Sequence, residues 1–322
     1  MDSTVVAPRG TTGTRAWLRD NGAYAAIVLL VGYNLIFTTN FATVANISTQ
    51  LVQVAPVLIV ALGMTLVIGT EGVDLSVGSV MAVAAAVLPL YLGYGVVPAL
   101  GVALVAGALC GLLNGTLVAV VGIQPIVATL ALLVGGRGLA LVFADGQLTE
   151  IRNPALLSLG SGSLLGIPAV VWVAAALAAL VWLLVRYTTF GRQLVAVGGN
   201  RSASMLAGLP VRRILLVTYM ISGVLAAIAG IVATARLTAS DPSAIGNLYE
   251  LSAITAVVVG GTPLSGGRVR ILGTVAGALL MQLITATLIK HNLPDSTAQI
   301  VQASIIVVAV YLQRPRVVGG VR

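Results

Sequence analysis

Acidic residues are scarce in this chain: nine aspartates and glutamates in 322 residues, against 17 lysines and arginines. Charged residues of all kinds make up 8%, where a soluble domain carries about 25%, which excludes an ordinary water-exposed surface. A single cysteine, Cys110, excludes a disulfide framework or a thiolate metal cluster. It lies in an apolar run beside Gly111 and reads as a packed small residue. The only lysine, Lys290, has no G-x-x-x-x-G-K-[ST] around it, so the chain carries no phosphate loop of its own. Barrel-type alternation of apolar and polar residues is also missing. The net charge of +8 does not point to nucleic acid, because the arginines sit in short connections between apolar runs, where they act as topology signals.

What is present in quantity is apolar sequence, 58% of the residues. About 20 consecutive apolar residues cross the hydrocarbon core as a helix. The runs fall at 23–37, 51–68, 75–91, 98–121, 125–143, 167–185, 214–235, 251–259, 271–289 and 300–312. Glycines 135, 136 and 138 around Arg137 predict either a bend in the fifth run or a helix end with a short re-entry, and Pro56 a kink in the second. The run 251–259, at 1.5 Å per residue, is short for a full crossing and reads as part of a broken or re-entrant element. The expected architecture is an all-α polytopic membrane protein of about ten transmembrane or partly re-entrant helices with an internal pseudo-repeat.

Three basic segments fix the expected topology. Residues 1–22, with Arg9, Arg15 and Arg19, form an N-terminal tail; 186–213 carries five arginines and no acid; 314–322 ends the chain with Arg314, Arg316 and Arg322. The positive-inside rule places all three in the cytoplasm. Six crossings before the middle loop and four after it satisfy this placement. A single transmembrane domain spans 23–313, with pseudo-repeat halves at about 50–142 and 214–312.

Two of the nine carboxylates, Glu71 and Asp74, stand between long apolar runs in VIGTEGVDLSVGS, residues 67–79. Carboxylates in such a place call for a specific role. Asp74 predicts a helix cap for the run that follows. The stretch is echoed by VVVGGTPLSGGRVRILGT, in which Leu264, Ser265 and Gly267 match Leu75, Ser76 and Gly78 while Pro263 stands where Asp74 would be. The two loops could cap helices and turn the chain, line a translocation route, or contact a peripheral partner.

Small residues at spacing four, Gly107, Gly111 and Gly115, and again Gly273 and Gly277, mark faces where helices approach closely. Gln53, Asn114 and Gln282 are candidates for a polar pathway, with an interhelical hydrogen bond as the alternative for Asn114. In the middle loop, glycines 198, 199 and 208, Asn200 and Pro210 bracket a short helix over 201–207. A lone amphipathic turn is stable only when docked, which points to a groove on another protein.

Three stretches then resemble one family over almost the whole chain: GMTLVIGTEGVDLSVGSVMAV; GLLNGTLVAVVGIQPIVATLALLVGGRGLA; and AVGGNRSASMLAGLPVRR with the later VVVGGTPLSGGRVRILGT. The chain resembles the inner-membrane permeases of bacterial ABC importers for simple sugars such as ribose, arabinose, xylose and galactose. The resemblance implies a passage for a pentose or hexose, a second permease subunit, identical or homologous, and a separate cytoplasmic ATPase. It also implies an extracytoplasmic solute-binding protein that delivers the sugar. The chain would bind no cofactor, ATP and Mg being used by the partner ATPase. The family's coupling helix matches 200–209, which assigns Asn200, Arg201, Ala203, Ala207 and Gly208 to coupling. Nucleosides or other small polar solutes are the alternative cargo, and a standalone ion-coupled carrier is the competing class.

Overall fold

An apolar chain in a bilayer must pair each backbone N–H and C=O within itself, and a helix does this separately for every run. The computed structural model describes residues 13–313 and is helical almost throughout. Among the described residues, seven helical stretches are long and apolar enough to cross a membrane: Val44–Gly69, Val77–Tyr94, Val96–Val121, Pro125–Phe143, Ala169–Tyr187, Val211–Leu237 and Ile271–Lys290. Two shorter apolar helices, Gly22–Phe37 and Tyr249–Val259, accompany them. The protein is an all-α, multi-spanning membrane protein. Arg9 and the terminal Arg314, Arg316 and Arg322 lie outside the described residues.

In chain order the helices are α1 (Gly13–Phe37), α2 (Val44–Gly69), α3 (Val77–Tyr91), α4 (Val96–Thr116) and α5 (Pro125–Phe143). A π-helical turn, Leu117–Val121, closes α4, and Gly122 at φ +85° reverses the chain. Then come β1 (Thr149–Glu150), α6 (Pro154–Ser161), β2 (Ser163–Leu164), β3 (Ile167–Pro168) and α7 (Ala169–Tyr187). The rest is α8 (Thr189–Gly199), α9 (Arg201–Leu206), α10 (Val211–Leu237), β4 (Ala239–Ser240), α11 (Tyr249–Val259), α12 (Ile271–Lys290) and α13 (Asp295–Gln313).

The helices extend beyond several of the apolar runs: α2 starts at Val44 and α13 at Asp295. Helix α1 starts at Gly13, so Arg15 and Arg19 lie on a helix. Helix α5 runs unbroken through Gly135, Gly136 and Gly138 to Phe143, with Gly136 against Ser79 of α3, so the glycines do not end it. Helix α2 likewise continues through Pro56, which is buried.

Helix α10 is the hub, packed on α2, α3 and α4. The contact with α4 is made backbone to backbone: a methyl group added at Gly111 would sit 2.3 Å from the Tyr219 carbonyl oxygen, and one at Gly107 2.6 Å from that of Gly223. In lipid, where burying one apolar surface against another gives little net drive, such close dispersion contact is a main source of helix association. Helices α4, α5 and α7 turn apolar side chains outward, among them Leu109, Val134 and Leu180.

The bundle has two distinct ends. At one end the α2 terminus, α8, α9 and the starts of α10 and α12 gather; we call it the loop end. At the far end, β1 pairs with β4 (Thr149 opposite Ser240), β2 with β3, and α6 rests on α10 with Gly160 against the Ala235 backbone.

Candidate functional site

Three loops meet at the loop end. The Gly267 amide donates to the Gly69 carbonyl at 3.1 Å, joining the echo loop to the end of α2. Gly198, on α8, lies so close that a methyl group there would sit 1.8 Å from the same Gly69 oxygen and 2.7 Å from the Gly267 nitrogen. Residues 69, 198 and 267, far apart in sequence, thus form one backbone junction with no side chain between them. Leu194 and Val197 bury the apolar side of α8 beneath it.

Helix α9 projects from this junction. Asn200 caps it, its Oδ1 accepting from the Ala203 amide at 2.9 Å, and Gly208 at φ +78° ends it. Ser204 points inward, whereas Arg201, Ala203, Ala207 and Gly208 are exposed. Leu206 is 92% exposed and Met205 56%, an apolar tip on an otherwise polar turn. These two residues escaped the sequence reading, although an unpaired leucine on a six-residue helix was a readable signal.

The 70–76 loop does not stay at the surface. Asp74 is buried beside Ser222, eleven residues into α10, about 16 Å from the start of that helix. Its Oδ1 accepts from the Ser76 amide (3.1 Å) and hydroxyl (2.6 Å), and its Oδ2 from the Ser222 hydroxyl (2.9 Å). Asn114 donates its Nδ2 to the Ser76 hydroxyl at 2.8 Å. A single hydrogen-bonded cluster therefore ties the loop to α4 and α10. Asp74 is not the helix cap that the sequence reading expects: α3 begins at Val77 with Ser76 before it, and the carboxylate stabilises the turn that leads in. Leu75 is half-buried in this turn, and Gly78 lies at the start of the helix.

Glu71 is exposed and sits in the left-handed region at φ +65°. A non-glycine residue there carries strain of about 1–2 kcal/mol, partly offset by the unfolded-state entropy a glycine would add. Glu71→Gly is expected to raise stability by about 0.5–1 kcal/mol, read as a higher thermal midpoint in detergent; a lower midpoint would show a contact worth more than the strain.

In the echo loop, Pro263 and Leu264 are half-buried and Ser265 is exposed, and the buried polar group is Thr262, whose hydroxyl accepts from the Arg270 amide at 3.1 Å. Gly273 and Gly277 pack α12 on α11, against Gly260 and Ala256. The three pathway candidates do not come together. Gln282 donates to Gln50 (2.7 Å) and Gln53 (2.8 Å), forming a glutamine cluster between α2 and α12, whereas Asn114 belongs to the Asp74 cluster. An apolar cavity of about 510 Å³ opens between α2, α7 and α12. Leu58, Ala174, Trp182 and Leu279 are among its walls, which give a polyol nothing to bond. Among the described residues no group of histidine, cysteine and carboxylate side chains could hold a metal.

Comparison with known proteins gives the architecture a context. Residues 46–310 match a family described as the branched-chain amino acid transport system permease component. The galactofuranose transporter permease of Escherichia coli is 42% identical over 272 residues, 84% of this chain and 80% of the relative. The ribose import permease of Escherichia coli is 37% identical over 309 residues, 94% of this chain and 96% of the relative. The fructose import permease of Bifidobacterium longum is 40% identical over 275 residues, 84% of this chain and 77% of the relative. No solved structure matches the chain. The chain belongs to the permeases of bacterial ABC importers, in their ribose-, arabinose- and galactose-type sugar branch, and is a multi-pass inner-membrane transport subunit rather than an enzyme.

Proposed function

We propose that the chain forms one half of the passage for a pentose or hexose, with a second permease subunit forming the other half. An extracytoplasmic binding protein delivers the sugar, and a cytoplasmic ATPase drives alternation between inward- and outward-facing states. The loop end is the cytoplasmic face, both termini lie on that side, and ten elements cross or re-enter. The echoed loops belong to the two halves of a duplicated unit.

The observation that carries this reading is the rigid connection at the loop end. Helix α9, with Arg201, Ala203, Ala207 and Leu206 exposed, enters a groove of the ATPase. Asn200 and Gly208 fix its two ends. Its displacement passes through α8 to the backbone junction of Gly69, Gly198 and Gly267, where no flexible side chain absorbs it. Helices α2 and α12 then move as rigid bodies, and the small-residue faces let them shift against neighbours at close distance.

A sugar is favoured over a nucleoside by what the relatives' names say they carry: galactofuranose, ribose and fructose. The test is reconstitution in proteoliposomes, with and without the ATPase and binding protein. Uptake of ribose, arabinose or fructose is expected only with ATP and both partners. Uptake by this chain alone under an ion gradient would make it an ion-coupled carrier instead, and uptake of adenosine with none of the sugars would replace the cargo.

A further inference from the structure

Helices α3 and α11 both begin inside the bundle, at one place. Helix α3 starts next to Asp74 and runs toward the far end, with Met81 against Gly230 of α10. Helix α11 has 11 residues, about 16 Å, and its lead-in segment, residues 241–248, comes from the far end. The two starts touch: a methyl group on Gly78 would sit 2.2 Å from the Gly246 carbonyl oxygen. Asp241 shapes the lead-in by accepting from the Ser243 hydroxyl, which holds its carboxyl below the usual range. Broken helices whose first turns point at one another leave several unpaired backbone N–H groups facing a common point within the membrane.

Two charged side chains occupy that point. Glu250, in the first turn of α11, is only 9% exposed, and its Oε2 has no hydrogen-bond partner. The same carboxylate lies 2.6 Å from where a methyl group on Gly78 would be. Arg137, half-buried two-thirds of the way along α5, donates through Nη1 to the carbonyls of Pro242 (2.8 Å) and Ile245 (2.7 Å), the latter next to Gly246. It thereby holds the lead-in segment against α5. A buried carboxylate oxygen left unbonded is costly, and a structure that keeps one needs a use for it.

Resting on the reading of the chain as a sugar permease, we propose that Glu250 and Arg137 form the mid-membrane subsite that takes the hydroxyls of the passing sugar. Parting of Gly78 from Gly246 uncovers the Glu250 carboxylate, which accepts from one or two sugar hydroxyls. Arg137 exchanges a carbonyl of the lead-in segment for a sugar oxygen. The exchange keeps the Arg137 guanidinium bonded throughout and holds the sugar only weakly, as rapid release requires.

The test compares uptake of ribose with that of 2-deoxyribose by the permease assembled with its ATPase and binding protein. The same binding protein serves every variant, so its own preference cancels when variants are compared with the wild type. Glu250→Gln, which keeps the shape and removes the charge, is expected to lower the ribose-over-deoxyribose preference about tenfold, the worth of one charge-assisted hydrogen bond. Arg137→Met, at a partly exposed position, is expected to lower it about threefold, and Glu250→Asp to restore part of it. A role in packing alone would change the amount of assembled protein without changing the preference. If the wild type carries ribose and both Glu250→Gln and Arg137→Met keep its full preference, the subsite is wrong while the permease reading stands. If the wild type carries none of ribose, arabinose and fructose, the sugar reading fails and the subsite with it. Should Glu250→Gln not assemble, unchanged preference in Arg137→Met alone would overturn the proposal.

Discussion

Asp74→Ala is expected to lower the unfolding free energy by about 3 kcal/mol, the largest loss from any single side chain in the first loop. The carboxylate accepts from three buried donors, the Ser76 amide, the Ser76 hydroxyl and the Ser222 hydroxyl. Alanine leaves all three without their acceptor where water is excluded, and each such group costs about 1–3 kcal/mol. The total stays below the sum for two reasons. A serine hydroxyl on a helix can turn back to a carbonyl one turn earlier. Removing a buried polar group also recovers part of its desolvation cost. Asp74→Asn keeps one acceptor oxygen for Ser76 and is expected to cost only about 1 kcal/mol. Thermal unfolding of the detergent-purified protein measures both. Equal losses for alanine and asparagine would show that both carboxyl oxygens, and not the hydrogen-bond count, are needed to hold the loop.

Leu206→Asp is expected to cut ATP-driven uptake at least tenfold while moving stability by no more than about 0.5 kcal/mol. The side chain is 92% exposed and touches nothing that folding needs. An aspartate there is harmless to the free chain, but in an apolar groove it would have to be desolvated without a partner, a cost of several kcal/mol. The fold and the interface are therefore separable at this residue. Co-purification with the ATPase, followed by uptake in proteoliposomes, checks both halves. Full association and full uptake by Leu206→Asp would remove α9 from the coupling role. Arg201→Glu tests the same surface through charge alone, with a smaller expected loss because a rim ion pair contributes about 0.2–1 kcal/mol.

The two predictions draw on opposite kinds of residue, and they differ in how readable they are. Leu206 lies in a segment bounded by Asn200 and Gly208, and those punctuating residues act locally. An asparagine oxygen reaches the amide three positions on, and a glycine accepts a positive φ. Helix α9 was legible for that reason, as a helix and not as a role. Asp74 was legible as an anomaly, a carboxylate between apolar runs, but its role was not. The sequence reading made it the cap of α3, since a carboxylate before a helix usually bonds the nearest free amides. The structure instead spends one of its oxygens on Ser222, 148 residues away.

The same division runs through the rest of the molecule. The small-residue spacings 107, 111 and 115 announce a close helix contact, but nothing in them names α10 as the partner. Gln53 and Gln282 look alike in sequence to Asn114, yet only the first two share a cluster, because α2 and α12 pack together there and α4 does not. Glycines 135, 136 and 138 would also suit a helix end, which α5 does not make there, since it runs on to Phe143. Arg137 and Glu250 drew no pairing from the sequence, since 113 residues separate them and each stands alone in its own run.

By itself the sequence determined that this is a helical membrane protein, where most helices start and stop, which segments are basic, and which family of permeases it belongs to. Those properties follow from hydropathy over about 20 residues and from caps that act within one turn. Tertiary structure alone decided that the 70–76 loop dives to mid-depth, that Gly69, Gly198 and Gly267 share one backbone contact, and that two broken helices meet at Gly78 and Gly246. The reason is physical. A glycine-rich loop permits many paths, and only the close packing of helices distant in sequence leaves room for just one of them.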